Sequence, residues 1–589
     1  MFTKRVTVRR GDKTYVYVKL VESYRDNGRV RQRVVANLGR EDELKASGQL
    51  DLLAASFARL DPPMIGVRRD VGPLLVVADI LERLDVKSVI DRHVPQKGRA
   101  MLSCGEVICA LIANRLCGPS PLYDVAGWAT SAAIQERLGI PGMLLNDDRL
   151  GRALEQFAPV AEAVRAELAV NAVTDFGIDA GRLHLDLTTL AVAGAYEDSA
   201  LVAKGWGPDG VKRQVRVLCA TNRKGVALYT RPYPGNAAEL TCIADTLDAL
   251  TKTAKPGLVI CADSALGHIR NLTAIDRSGL RFVVPLRTTT GFKQTFLDTI
   301  APAQMRPLRY VSRREAHLPA SRRTRYRGTI APFDVTDPVT GEPVALRVAY
   351  IWSSEEATSV ADGRQRALAT AETQLTKIRN GLGGRYYRTQ QDIDHKVGAI
   401  IGANIAELIT VTTNTDPATG KPTIDWHTNT DTIAHHARTD GIYALATNLA
   451  GNISANKILN IYKDQPLVEA RHHDNKGPLR VRPIFLHNDN RIHALISTVG
   501  IALLTYGLIE TELRNATNDQ PLHGLLPEHR PARPTGRNTL AAFQGLGLTY
   551  THQGIKLDRL TTTQRTILKH LKTPITWPEQ HPPTCGKRD

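Results

Sequence analysis

DGIYALATNLAGNISANKILNIYKDQPLVEARHHDNKGPLRVRP, residues 440–483, decides how the rest of the chain is read. Within it Tyr462, Glu469 and Lys476 recur every seven positions, so on a continuous helix each lies about 20° from the last and the three form one stripe. Pro466 removes a backbone hydrogen bond and either kinks such a helix or marks a first turn, which leaves Glu469 and Lys476 as the firmer pair of neighbours. A glutamate on a helix is ordinarily a solvated charge. Two upstream aspartates change its meaning: Asp186 in RLHLDLTTLAV and Asp263 in GLVICADSAL, each in its own apolar, strand-like run. Three carboxylates from two strands and a helix are the hard oxygen donors that divalent cations take, and two such ions clamp the attacking and leaving oxygens of an in-line phosphoryl transfer.

The sequence around the two aspartates reads as a mixed sheet. Leu183, Leu185 and Leu187 alternate with His184, Asp186 and Thr188, which predicts a half-buried strand with Asp186 opposite the leucines. RQVRVLCATN and GVALYTRPYPG follow as two more strands about a turn at Asn222–Gly225. A helix over about 237–251 then leads to GLVICAD, ending at Asp263. The spacings, 263 − 186 = 77 and 469 − 263 = 206, leave room for a large insertion between the second and third acids.

Here the chain resembles the DDE transposases of bacterial insertion sequences, in particular the group with a Tyr-x2-Arg-x3-Glu-x6-Lys signature. This sequence has Tyr462-x2-Gln465-x3-Glu469-x6-Lys476, with glutamine for arginine, so the role of that arginine does not carry over while the acid does. PGNAAE, with Gly235, Asn236 and Glu239, stands where that group has a Gly-Asn-x-x-Glu element, and Asp440-Gly441 precedes the last strand as the group's Asp-Gly does. The shared order spans roughly 1–515. The resemblance implies an α/β multidomain protein whose ribonuclease-H-like mixed-sheet catalytic core occupies 177–288 and 438–515. A mainly β, DNA-contacting insertion over 289–437 interrupts that core, and a C-terminal tail, 516–589, follows it. It further implies that Asp186, Asp263 and Glu469 bind two Mg²⁺ ions, with Mn²⁺ as a substitute. Tyr462 and Lys476 would contact DNA, and the substrates would be double-stranded inverted-repeat ends and target DNA joined by a homodimer or larger assembly. A nuclease of the same fold that does not join strands, and a non-catalytic DNA-binding protein derived from a transposase, are the alternatives.

Residues before the core divide in two. KRVTVRR, TYVYVKLVES and RVRQRVVANLG form a small basic β element over 1–40 with a hairpin signal at Asn27-Gly28. Its Arg5, Arg9, Arg10, Arg29, Arg31 and Arg33 either line a nucleic-acid surface or guard strand edges against aggregation. Residues 41–176 have helical periodicity. The resemblance assigns them to recognition of element ends, with a helix-turn-helix near 104–156 that packed helix pairs would mimic.

Composition agrees. A net charge of +17 over 589 residues favours a polyanionic partner. In the insertion, Arg313, Arg314, Arg322, Arg323 and Arg325 are interleaved with Tyr310 and Tyr326, a composition suited to phosphate contacts and base stacking or to a solvated strand surface. Seven cysteines show no Cys-x2-Cys pair and point to neither zinc nor disulfides. No stretch reads as a bilayer span and MFTKRVTVRRGDK lacks a secretory core, so no membrane partner and a cytoplasmic, nucleoid-associated protein are expected. His487 and His493 are tempting metal ligands with a structural alternative, and His472 and His473 are candidate proton carriers. The tail supports short helices near 536–546 and 562–571.

Overall fold

The computed structural model describes residues 2–11, 13–26, 29–47, 66–96, 100–194, 196–207, 210–253, 257–312, 314–464, 471, 486–551 and 554–575. They form two units: Met1–Asp70 with Leu546–Arg559, and Val71–Gly545 with Leu560–Asp589.

In the first unit the alternating runs become three antiparallel strands, β1 (Phe2–Arg10), β2 (Lys13–Asp26) and β3 (Arg29–Arg40), with β2 central. Helix α1 (Glu41–Ala46) packs on β2 and β3, with Leu44 buried. Arg5, Arg9, Arg31 and Arg33 pair with Val18, Thr14, Tyr24 and Glu22. These partners all occupy even positions of β2, so the four arginines share one face. Two of them are engaged within the unit, Arg5 with Glu41 at 2.9 Å and Arg33 with Glu22 at 2.8 Å. A second small sheet joins β4 (Arg68–Asp70) to a hairpin of Gly547–Thr551 and Gly554–Leu557. The C-terminal region is therefore more than a tail with short helices: Leu548, fully buried, fixes its hairpin to β4.

The second unit opens with helices α2 (Leu74–Arg83), α3 (Val86–His93), α4 (Cys104–Cys117), α5 (Val125–Ser131), α6 (Ile134–Leu138), α7 (Asp147–Phe157) and α8 (Ala161–Asp175). Ser103 caps α4 reciprocally with Glu106. All of α4 except Glu106 and Cys117 is buried. A recognition helix must present a face to a DNA groove, and α4 presents none, so α4 itself is a core helix.

A ten-stranded sheet follows. Strands β5 (Arg182–Ala191), β6 (Ala203–Gly207), β7 (Gly210–Asn222) and β8 (Ala227–Pro234) are antiparallel, β7 pairing with β5 along one edge and with β6 and then β8 along the other. The side chain of Asn222 makes the β7–β8 turn by accepting from the backbone of Lys224 and Val226. Helix α9 (Glu239–Thr253) leads to β9 (Val259–Cys261), α10 (Ile269–Arg277) to β10 (Arg281–Pro285), and these two strands run parallel to β5. The contiguous order is thus β8-β7-β5-β9-β10. Strand β5 is not half-buried as expected: His184 and Thr188 are as buried as Leu183 and Leu185, because both faces of this central strand are covered.

After α11 (Phe292–Thr299) the insertion is mixed and not mainly β as expected. Strands β11 (Arg306–Leu308), β12 (Tyr326–Thr336) and β13 (Pro343–Ser353) extend the same large sheet. The remainder is dominated by helices: α12 (Ser354–Asn380), α13 (Gln390–Ile400) and α14 (Thr430–Ala437) pack around a two-stranded ribbon of β14 (Ile409–Thr415) and β15 (Pro422–Thr428). The chain then returns through β16 (Ile442–Thr447), antiparallel to both β10 and β13. Helix α15 (Ala455–Tyr462) packs its Ile458, Leu459 and Ile461 over β10, β12, β13 and β16.

Helix α16 (Asp489–Ala516) is long and apolar enough to cross a membrane by length and composition, which corrects the expectation that no stretch approaches such a span. Its apolar window is almost wholly buried, against β8 on one side and α2, α4, α7 and α8 on the other. A helix apolar all round is what a core position of this kind demands.

Candidate active site

The ladder between β5 and β9 fixes the first two acids. Arg182 pairs with Val259, Leu183 with Ile260 and His184 with Cys261, each partner 77 positions downstream, and 263 − 186 = 77. Asp186 and Asp263 each lie two residues past the last pair of this ladder, and they are near enough for the charge of Asp186 to act on Asp263. Both are half-buried. Asp186 stands opposite Cys219 of β7. Asp263 lies just beyond the end of β9, where its Oδ1 accepts from the backbone N–H of Ala265 at 2.9 Å.

The electrostatics bear the mark of crowded carboxylates. Burial raises the pKa of Asp263 and the charge of Asp186 adds to the rise, against the Ala265 N–H and the positive charge of Arg287. Glu239, on the first turn of α9, is raised too, by burial and then by the charge of Asp263, with Asp186 adding and Arg216 and Arg287 opposing. Arg287, two residues past β10, donates from Nε to the Ser264 carbonyl at 2.9 Å and so ties the turn that carries Asp263. Arg216 projects from β7 with a buried Nε that has no hydrogen-bond partner among the described residues. The sequence flagged Glu239 only as part of PGNAAE. Nothing in the sequence pattern marked Arg216 or Arg287, which enter the site only through strand pairing.

Among the described residues no group of three His, Cys, Asp or Glu side chains is arranged to hold a metal ion. Glu469 and Lys476 lie outside the described residues, as do Gln465, His472, His473 and Arg313. The residues flanking this stretch are anchored to the sheet. Asp464 accepts from Arg182 of β5 at 3.1 Å. Arg471, buried, donates to the Gly225 carbonyl in the β7–β8 turn at 2.6 Å and pairs with Glu510 of α16 at 3.0 Å. Helix α15 closes at Tyr462, with Lys463 as its C-cap. The seven-residue stripe on one continuous helix is therefore corrected: Tyr462 belongs to a helix that has ended before Gln465. Its ring is half-buried in the core cluster and tilts against Tyr443 at 6.4 Å.

The arginine-rich segment divides sharply. Tyr326 is buried and Tyr310 packs edge-on against it at 5.3 Å, both under α15. These rings are core, not platforms for bases, because the β12 register turns Tyr326 inward. Arg323 donates to the carbonyls of Leu318 and Ala316, closing its own loop. Arg314 is largely exposed, 3.3 Å from Glu355, and Arg322 and Arg325 are exposed. Asp440-Gly441 has a structural reading: Asp440 receives Arg364 of α12 at 3.0 Å, while Gly441 has φ +74° and a Cβ there would meet the Ser353 carbonyl at 2.5 Å, so only glycine admits the chain to β16. His493 faces the cations Arg165 and Arg231, and burial together with those charges pushes its pKa down to about 4, which suits a neutral structural side chain. His487 stacks on Tyr196 at 5.4 Å.

Comparison with family models gives three matches in chain order. Residues 3–63 match the IS1634 family transposase N-terminal domain, residues 68–168 a domain of unknown function (DUF4277), and residues 181–505 the transposase DDE domain. A search of curated proteins found no match. The DDE match alone takes in more than half of the 589 residues and encloses both aspartates and the sheet that aligns them. The chain belongs to the DDE transposases of insertion sequences, enzymes that cleave and transfer DNA strands and generally do so with divalent metal ions.

Proposed function

We propose that this transposase cleaves DNA at the terminal inverted repeats of its insertion sequence and joins the freed ends to target DNA, with Asp186, Asp263 and Glu469 holding two divalent ions, Mg²⁺ or Mn²⁺. The observation that carries the reading is that the parallel β5–β9 ladder ends two residues before each of Asp186 and Asp263, with the charge of the first acting on the second. The strand order β8-β7-β5-β9-β10, three antiparallel strands followed by two parallel to the first, supports a ribonuclease-H-like core.

The donor set suits a hard cation. Two carboxylates whose ionised forms repel, beside a third acid in Glu239, are a poor arrangement for a bare protein and a good one for a bound divalent ion. Glu469, from the signature Tyr462-x2-Gln465-x3-Glu469-x6-Lys476, supplies the remaining carboxylate; of the described residues on either side, Asp464 is bonded to Arg182 of β5 and Arg471 to the β7–β8 turn. Bound ions would lower the pKa of the attacking water or 3′-hydroxyl and stabilise the departing 3′-oxygen. The chain's own work is positional: Asp263 is held by the Ala265 N–H and Arg287 fastens the turn beneath it. Lys476 and the outward arginines Arg314, Arg322 and Arg325 neutralise backbone phosphates, and two copies of the chain bring two ends together.

Incubating the protein with end-containing duplex, target DNA and Mg²⁺ tests this. Cleaved and joined products that vanish in Asp186→Asn are expected. An Asp186→Asn protein that still cuts in a Mg²⁺-dependent way would overturn the site assignment. Wild-type protein that cuts without ever joining would overturn the strand-transfer half.

A further inference from the structure

An arginine is long, charged and normally solvated, and it goes inside a protein only where its guanidinium finds partners. Arg471 is 4% exposed. Its Nε donates to the Gly225 carbonyl at 2.6 Å, its Nη2 stands 3.0 Å from Oε1 of Glu510, and its guanidinium lies 5.3 Å from the centre of the Tyr506 ring.

The other side of this contact is built by residues beyond the matched DDE domain, which ends at 505. Glu510, buried in α16, takes the N–H of Gly536 on its Oε2 at 3.0 Å and pairs with Arg514 one turn along the helix. Arg514 in turn donates from Nε to the Pro534 carbonyl at 2.7 Å. Gly536 opens helix α17 (Gly536–Ala541) directly against Tyr506, where a Cβ would meet the ring at 2.5 Å, so only glycine brings the chain this close. Tyr506 and Glu510 thus each touch Arg471 and Gly536.

A buried ion pair is weak evidence for stability, because packed apolar residues of the same volume often do as well; its best-attested use is to fix register. Register matters at this point of the chain. Position 469 is two residues from Arg471, so the two Cα atoms lie within about 7 Å of each other in any conformation. Gly225 belongs to the turn that follows β7, and β7 pairs Asn222 with Leu183 and Cys219 with Asp186. With 222 − 219 = 3, Asp186 stands about 10 Å along the strand from the start of that turn. Burial pushes the Cys219 thiol up to about 12, with the charge of Asp186 adding to the rise and Thr230 and Arg471 opposing it, so Asp186 and Arg471 act on one point of the sheet.

We propose that Arg471 is a positioning residue for the third carboxylate: gripped by Glu510 and the β7–β8 turn, it sets the place of Glu469 beside Asp186 and Asp263, and through Glu510 it makes residues 506–536 part of the support of the catalytic site. The inference rests on the reading of Glu469 as a metal ligand.

Three measurements on the full chain test it: Mn²⁺ binding without DNA, followed by the free-ion electron paramagnetic resonance signal; melting temperature in EDTA; and steady-state cleavage of end-containing duplex. Arg471→Lys keeps the charge and most of the stem but not the planar fork that reaches two acceptors, and Glu510→Gln keeps the shape without the charge. Each should weaken Mn²⁺ binding about tenfold or more and lower kcat by a similar factor, with KM for DNA unchanged within about twofold. Raising Mn²⁺ should recover part of the lost kcat. Phe157→Leu, at a fully buried position of α7, should lower the melting temperature without moving Mn²⁺ binding. Unchanged Mn²⁺ binding in both Arg471→Lys and Glu510→Gln would overturn the proposal. So would a loss that Phe157→Leu reproduces at an equal drop in melting temperature, since that is an effect of folding and not of position. Glu469→Gln separates the two failures. If it leaves Mn²⁺ binding and cleavage intact, the ligand reading fails; if it abolishes them while the Arg471 and Glu510 variants bind Mn²⁺ as wild type does, only the anchor fails.

Discussion

Two regions of the second unit carry opposite lessons about reading chemistry from sequence. Asp186 and Asp263 are 77 positions apart, yet each follows the β5–β9 ladder by two residues and the charge of one acts on the other. Arg306 to Arg327 is one continuous run of apparently uniform texture, yet it splits into core and surface: Tyr326 buried, Arg323 closing its own loop, Arg322 and Arg325 turned to solvent. Strand alternation and ladder register fix the direction of a side chain; composition does not. A claim built on pattern can therefore place a residue, whereas a claim built on content only says which residues are present.

The largest effect expected from this contrast is at the acids. Asp263→Asn should lower Mg²⁺-dependent strand cleavage by about 10⁴-fold or more, roughly 5.5 kcal/mol on the transition state. The same change should make the metal-free protein more stable, a few degrees in melting temperature, because it removes a carboxylate that burial and Asp186 both disfavour in its charged form. The pH dependence follows in sign. A carboxyl whose pKa is raised by folding contributes stability that is present below its unfolded value and lost as pH rises through the folded one. In EDTA the wild-type chain should therefore lose denaturant resistance as pH rises above the ordinary aspartate range, by a margin that Asp263→Asn reduces. A variant that loses both activity and stability would indicate a structural role.

Next comes Tyr326, where the two readings of the arginine-rich segment differ most. As a core ring under α15, Tyr326→Ala should cost about 3–5 kcal/mol of unfolding free energy, measured by denaturant titration. As a base platform it would cost little stability and only weaken DNA binding. Arg323→Ala tests the same question at smaller scale. Losing its hydrogen bonds to the Leu318 and Ala316 carbonyls should cost about 1–2 kcal/mol, with greater proteolytic sensitivity of the 316–323 loop.

What was legible follows the same division. The alternation of Leu183, Leu185 and Leu187, the Asn222 turn and the apolar run into Asp263 announced β5, β7, β8 and β9, since each is a local period or a local turn. That β11, β12 and β13 would join the core sheet was not legible, because the pairing that joins them is with partners up to a hundred positions away, such as Arg347 with Thr447. Arg216 and Arg287 were invisible for the same reason. Tyr462 misled because a seven-residue spacing implies one face only while the helix lasts, and α15 ends at that residue. Helix α16 misled in the other direction: it is apolar enough over its length to cross a membrane, which is what a helix enclosed by β8 and at least six other helices requires.

The smallest effect expected is on the outward arginines, and it separates phosphate contact from a merely solvated surface. Arg322 and Arg325 are exposed, so replacing either with alanine should change unfolding free energy by no more than about 0.5 kcal/mol. If they neutralise phosphates, each loss should lower the slope of log K against log salt by about 0.9, uniformly across DNA sequences, because a backbone contact carries no base information. A solvated strand surface predicts no change in slope at all. The double variant discriminates best, since two independent phosphate contacts should subtract additively while a general loss of positive field should fade as salt screens it. Set beside Tyr326→Ala, the outcome is a double dissociation within some five residues: Tyr326 governs stability through burial, and Arg322 and Arg325 govern salt-dependent affinity through charge.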